Sequence, residues 1–244
     1  MKKGMFRDIL FLDVETASGV RHYSDLPERL KLLWNKKAQT ITKDLSLNRE
    51  ECIQVYDEKA AIYAEFNKII CISVGYLAYD EDEIVLKVKS YFGDNEKEIL
   101  KEFSSLLNVH YNNLKKYYLC GHNIKEFDCP VICRRMLIHD LELPKLLNLS
   151  RKKSWQVRHL IDTLEMWKFG DYKSYTSLNL LAALFNIPSP KDDLDGSMIK
   201  DVYYLDKNLE RIKEYCQKDV TVLASIFLRM NNFPVLIEEE VKIV

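Results

Sequence analysis

Short β-prone apolar runs alternate with longer stretches of helical spacing in this chain. That alternation leaves few architectures open. Residues 8–13 read as a buried strand, with the apolar run Ile9-Leu10-Phe11-Leu12 ending on Asp13. Residues 68–77 form the clearest strand signal, and residues 84–92 alternate apolar and polar as a half-exposed strand does. The polar stretch 78–83 between them has the length of a hairpin loop. Residues 117–120 and 157–161 read as two further short strands. Helical spacing marks residues 95–107, with Asp94 or Asn95 as N-cap, and residues 126–139, where Pro130 falls in a tolerant first turn. Thr176 and Ser177 cap a helix that runs to Phe185 and is closed by Pro188 and Pro190, and residues 209–230 form a long amphipathic helix. The order predicts a mixed sheet covered by helices. Composition breaks nowhere along the 244 residues, so one domain over 1–244 is expected, with residues 18–65 as a helical or loop insert.

Charge and cysteine usage narrow the function classes. The chain carries 36 basic and 37 acidic side chains, for a formal charge of −1, which argues against a protein that coats nucleic acid through bulk electrostatics. A small cleft that holds one strand end is compatible with that balance. The basic runs Lys36-Lys37, Lys115-Lys116 and Arg151-Lys152-Lys153 read as solvated faces; the third is the best phosphate-tracking candidate, because Trp155, Arg158 and His159 follow it. The six cysteines form no CxxC pair, and Cys129 and Cys133, four apart, read as buried free thiols. The apolar run near the N-terminus is too short for a signal peptide, and no segment reaches the roughly 18 apolar residues of a membrane helix. A cytoplasmic protein without membrane contact is the expectation.

Four acids stand out by their setting. Asp13 and Glu15 end the first strand and, two apart, point to one face. Asp128 enters a helix just after the strand and small loop Gly121-His122-Asn123, above the same sheet edge where α/β sheets place ligands. Asp219 lies mid-helix, four residues after Tyr215 and on the same helix face. Carboxylates about 4 Å apart at an effective dielectric near 20 repel by roughly 4 kcal/mol per pair. Hard divalent cations relieve that repulsion, and two such ions can clamp both oxygens of an in-line phosphoryl displacement.

These residues carry a resemblance. Phe11-Leu-Asp-Val-Glu-Thr16, Gly121-His-Asn-Ile-Lys-Glu-Phe-Asp128 and Tyr215-Cys-Gln-Lys-Asp219 are similar to the three motifs of DEDDy-type 3′→5′ exonucleases of the ribonuclease H-like superfamily. Thr176-Ser-Leu-Asn-Leu-Leu181, Pro190-Lys-Asp-Asp-Leu-Asp-Gly-Ser197 and the last motif resemble standalone bacterial relatives of the proofreading domain of family B DNA polymerases. The resemblance implies an α/β, ribonuclease H-like fold with a five-stranded mixed sheet, one strand antiparallel, flanked by helices. It implies two Mg²⁺ or Mn²⁺ ions, with Asp13 bridging both, Glu15 and Asp219 on the water-carrying ion and Asp128 on the other. Tyr215 would orient the attacking water. Thr16 and Ala17, through their backbone, and Asn123 and Phe127 would contact the terminal nucleotide. Lys191 is expected at the surface, Asp162 in a structural role, and His122 as a hydrogen-bonded structural histidine.

The expected activity is hydrolysis of single-stranded DNA from its 3′ end, releasing nucleoside 5′-monophosphates, with a separate polymerase or repair protein as partner. The competing readings are a 3′→5′ exoribonuclease, since the choice rests on contacts to the 2′-OH, and a catalytically silent nucleic-acid-binding module.

Overall fold

The computed structural model describes residues 3–80, 83–153, 156–171, 175–188 and 194–244. Trp155, Pro190 and Lys191, singled out above, lie outside them, as does the hairpin tip at 81–82.

Apolar runs too long to alternate end up as strands buried on both faces. Strand β1 (Ile9–Ser18) is buried along its length except at Asp13, which is half-buried. It lies mid-sheet, in the order β5-β4-β1-β2-β3-β6. Strand β2 (Asn67–Asp80) runs antiparallel to β1 and to β3 (Glu83–Phe92), while β4 (Tyr118–Gly121) and β5 (Leu160–Asp162) extend the other side in parallel with β1. The sheet therefore has six strands rather than the expected five. The sixth, β6 (Val241–Ile243), pairs in parallel with β3 at the edge. Three residues carry no readable periodicity, and only the partner in space makes them a strand. Strand β5 also starts later than residue 157, since the pairing with β4 is confined to Leu119–Gly121.

Side-chain parity along β1 sets two cores. Leu10, Leu12 and Val14 pack against α3 (Glu96–His110) and α4 (Asp128–Ile138). Ile9 and Phe11 face the other way, onto Val220, Leu223 and Phe227 of the long helix α8 (Leu209–Met230). Gly75 of β2 makes this close approach possible, because a Cβ there would stand 2.7 Å from Cγ1 of Val220. The short helices α5 (Thr163–Lys168) and α6 (Leu178–Leu184) complete the α8 side, and Ser177 caps α6 by accepting from the Leu180 backbone, as the sequence suggested.

The insert is a helical hairpin with a core of its own. Helices α1 (Glu28–Thr42) and α2 (Arg49–Lys59) close around Trp34 and Tyr56, both fully buried, whose rings meet edge-on at 5.1 Å. The Trp34 indole N–H donates to the carbonyl of Cys52. Asn48 and Glu51 form a capping box at the start of α2, a signal already present in Asn48-Arg-Glu-Glu51. The buried Glu96 carboxylate clamps α4 to the sheet: it accepts from the Ile69 backbone, from Arg135 through two N–H groups and from His139. Among the described residues no helix is long and apolar enough to cross a membrane.

Candidate active site

The odd-numbered residues of β1 that face α8 change character at Asp13. Beyond Phe11 the parallel partner β4 has ended, at the pair Phe11↔Cys120. The antiparallel partner β2 continues to Ser18↔Asn67, so β1 runs five residues past Asp13 instead of ending there. Asp13 and Glu15 therefore lie beyond the C-terminal limit of the parallel strands while still on a rigid strand. The register with β2 shifts between Glu15 and Thr16. Such an irregularity re-aims side chains beside a site.

Three elements converge there. Helix α8 brings Cys216, Tyr215 and Asp219; one ligand atom each of Asp13, Glu15 and Cys216 lie within 4.8 Å of one another. The Cys216 thiol donates to Asp13 Oδ2 at 3.3 Å. Tyr215 donates its hydroxyl to Asp219. The sharp turn after β4 brings Asp128, first residue of α4 and 4% exposed. That turn is tight enough that a Cβ on Gly121 would stand 2.6 Å from Cβ of Ile124. Asn123 adopts a left-handed φ of 66°, a conformation asparagine tolerates. Asp162, at the end of β5, accepts from the backbone N–H groups of Asn123, Lys125 and Leu164, so it pins this turn while capping α5. Both ring nitrogens of His122 are engaged, by Thr163 Oγ1 at 2.9 Å and the Thr176 carbonyl at 2.8 Å, and burial lowers its pKa. It is a neutral structural histidine.

Gathered carboxylates in little water carry a cost that shows in their protonation. Burial first, then the charge of Asp128, pushes Asp13 up to about 7. Burial, then the charge of Asp162, pushes Asp128 up to about 7 as well, against the opposing pull of backbone N–H donors. Glu15, 8% exposed, is held well above the usual carboxylate range by burial and by Asp13, Asp219 and Asp128. Burial and the charges of Asp219, Glu15 and Asp13 keep the Tyr215 hydroxyl protonated far above its ordinary value. The site thus has more negative charge than its own surroundings compensate. An oxygen-rich anionic pocket of this kind fits hard divalent cations.

A cleft of about 660 Å³ reaches this cluster at Glu15. Glu15, Thr16 and Phe127 line it together with Asp57 and Ile62 of the insert and Lys200. The insert is therefore a wall of the site. The hydroxyl of Thr16 donates to the Ala61 carbonyl at 2.7 Å, which ties β1 to the segment just after α2. Ala17 is fully buried among Ile212 and Cys216. The structure thus brings Asp13, Glu15, Asp128, Tyr215 and Asp219 together and sets Thr16 and Phe127 on the cleft. Two features escaped sequence reasoning. Cys216 sits inside the quoted motif, yet only the tertiary contact with Asp13 marks it. Asp57, Ile62 and Lys200 lack any local signal. The thiols of Cys129 and Cys133 are free, and burial raises both.

A family profile described as a predicted 3′-5′ exonuclease related to the exonuclease domain of PolB matches residues 61–242. The chain belongs to this family. The match leaves out residues 1–60, which hold both the α1–α2 hairpin and strand β1 with Asp13 and Glu15. No functionally curated protein matches the sequence. Among solved structures, the family B DNA polymerase from the hyperthermophilic archaeon Pyrobaculum calidifontis superposes with a TM-score of 0.55 at 13% identity, over 90% of this chain and 24% of the polymerase. The present chain thus corresponds to about a quarter of that protein, and at this identity the likeness speaks to the fold: a mixed sheet flanked by helices, as in the ribonuclease H-like exonuclease units of polymerases. Membership of an exonuclease family implies dependence on a divalent metal, and the carboxylate cluster suits one.

Proposed function

We propose that the chain is a DEDDy-type 3′→5′ exonuclease that removes nucleoside 5′-monophosphates from the 3′ end of single-stranded DNA. The observation that carries this reading is the convergence of Asp13, Glu15, Asp128 and Asp219, with Tyr215 bonded to Asp219, beside a 660 Å³ cleft that Glu15 lines. Asp13, Glu15, Asp128 and Asp219 would hold two Mg²⁺ or Mn²⁺ ions, which when bound acidify a water and stabilise the charge on the phosphodiester oxygens.

The chain's own groups do the positioning. Tyr215 stays protonated and gives its one hydroxyl proton to Asp219, so its oxygen accepts from the water and orients it rather than acting as a base. The Thr16 and Ala17 backbone fixes the 3′-hydroxyl, while Phe127 and Asn123 bound the terminal nucleotide. The chain acts as one exonuclease domain over residues 1–244, in the cytoplasm, on ends supplied by a separate polymerase or repair protein.

The test is a 5′-labelled single strand incubated with Mg²⁺ or Mn²⁺, in DNA and RNA versions, beside Asp13→Ala and Asp219→Ala. A descending ladder on DNA that vanishes with EDTA and in both variants is the expected result. A ladder on RNA alone moves the substrate to RNA. No ladder on either, with retained binding, leaves a nucleic-acid-binding module.

A further inference from the structure

The cleft is anionic where a polyanion must enter. Its described lining carries Glu15, Asp57 and Glu58 against two ammonium groups, Lys59 and Lys200. Metal ions offset charge only at the inner, carboxylate end. Towards the mouth a phosphodiester needs a side-chain cation, or repulsion keeps it out.

The two lysines are not equivalent. Lys59 is exposed at the C-terminal end of α2, where it complements the helix dipole. Lys200, on the short helix α7 (Ile199–Asp201), has a side chain only 17% exposed, in an ion pair with Asp57 at 2.7 Å. Its ammonium stands 5.9 Å from the centre of the Tyr56 ring, so the hairpin's own core backs it. Lys200 and Asp57 also line a second, polar cavity of about 350 Å³, together with Arg21, His22, Asp201 and Tyr204. The pair is thus the partition between the carboxylate cleft and a chamber that carries the next cation, Arg21.

We propose that Lys200 binds the sugar–phosphate backbone of the substrate strand, exchanging Asp57 for a phosphate, and that the strand runs from the carboxylates over this pair towards Arg21. The proposal rests on the exonuclease reading and adds the residues that guide the strand. The exchange is chemically balanced: one charge-assisted hydrogen bond to an anionic oxygen replaces another. Asp57 has a side chain 48% exposed, so water takes it over once Lys200 leaves. The flexible lysine stem supplies the reach. In the free protein Asp57, on the α1–α2 hairpin, keeps the ammonium aimed along the cleft wall.

The test reads binding, not turnover. A fluorescent single strand with a nuclease-resistant phosphorothioate 3′ end is titrated in Ca²⁺ across a salt series. The proteins compared are wild type, Lys200→Ala, Lys200→Arg and Asp57→Ala, each with a thermal melt to confirm the fold. Lys200→Ala is expected to weaken binding severalfold and to flatten the log–log salt dependence by about 0.7, the value of one phosphate contact on a single strand. Lys200→Arg restores the slope. Asp57→Ala removes the competitor, and binding tightens roughly twofold, the size expected for losing an exposed ion pair. An unchanged slope in Lys200→Ala, or equal weakening by Asp57→Ala and Lys200→Ala, overturns the proposal and makes the pair a structural strap. If the wild type neither binds nor degrades any strand, the exonuclease reading falls with it; if it degrades the strand and only the slope is unmoved, this inference alone falls.

Discussion

Neutralising Asp13 should stabilise the metal-free protein while abolishing its response to metal. In the folded chain, burial and the neighbouring Asp128 push the Asp13 carboxyl from 3.8 up to about 7. The sign follows from linkage: the folded state holds this proton more tightly than the unfolded state, so the contribution is fully favourable only below the unfolded value of 3.8. It is lost as pH rises towards about 7 and stays lost above. Ionising the group in the fold then costs roughly 4 kcal/mol relative to the unfolded chain at pH 8, and under half of that at pH 5. Asn removes the charge but keeps the shape and still buries a polar amide, so about half of the cost, about 2 kcal/mol, should be recovered. For a chain of this size that raises the melting temperature by about 4–8 °C. The assay is a thermal melt in EDTA at pH 8 and pH 5. Asp13→Asn should melt above wild type at pH 8, with a smaller gap at pH 5. On adding Mn²⁺ the wild type should rise by linkage with ion binding, and the variant should not. An Asp13→Asn protein that melts below wild type in EDTA at pH 8 would refute the charge-repulsion argument.

Two further outcomes are expected. Tyr215→Phe keeps the ring but loses the hydroxyl that bonds Asp219, so turnover should fall about 10–100-fold with substrate binding nearly unchanged; because Tyr215 stays protonated far above its ordinary value, the wild-type pH–rate profile should show no tyrosine break, and such a break near pH 10 would count against its positioning role. Glu96→Ala leaves Arg135 and His139 facing an empty socket in place of the bonds at 2.5–2.8 Å, and a broken buried ion pair costs about 3–5 kcal/mol; a denaturant melt showing a loss under 1 kcal/mol would mean that water solvates the cluster.

The chemistry-bearing residues were legible because local rules place them. A strand sends Asp13 and Glu15 to one face, and a helix sets Tyr215 and Asp219 one turn apart. The β4 turn before Asp128 was marked by glycine and asparagine, residues that tolerate close approach and left-handed backbone. Sequence periodicity also foretold the central strands β1 to β3, where apolar runs or alternation are long enough to count, and the length of α8. Strand β6 was not legible, because the three residues Val241–Ile243 are too few for alternation to count and become a strand only beside β3. The continuation of β1 to Ser18 was missed for a related reason, since the polar Glu15-Thr16 and small Ala17-Ser18 look like a loop until the antiparallel β2 pairs with them.

The sequence by itself therefore determined which groups can do chemistry and on which elements they ride, because those relations span a few residues and obey the periods of strand and helix. Tertiary structure alone decided that the acids share one poorly solvated pocket with the Cys216 thiol, that their protonation shifts as a result, and that Asp57 of the insert meets Lys200 of α7 at the cleft. These contacts join residues more than a hundred positions apart. Their energies depend on distance and burial, neither of which is a property of any local stretch of chain.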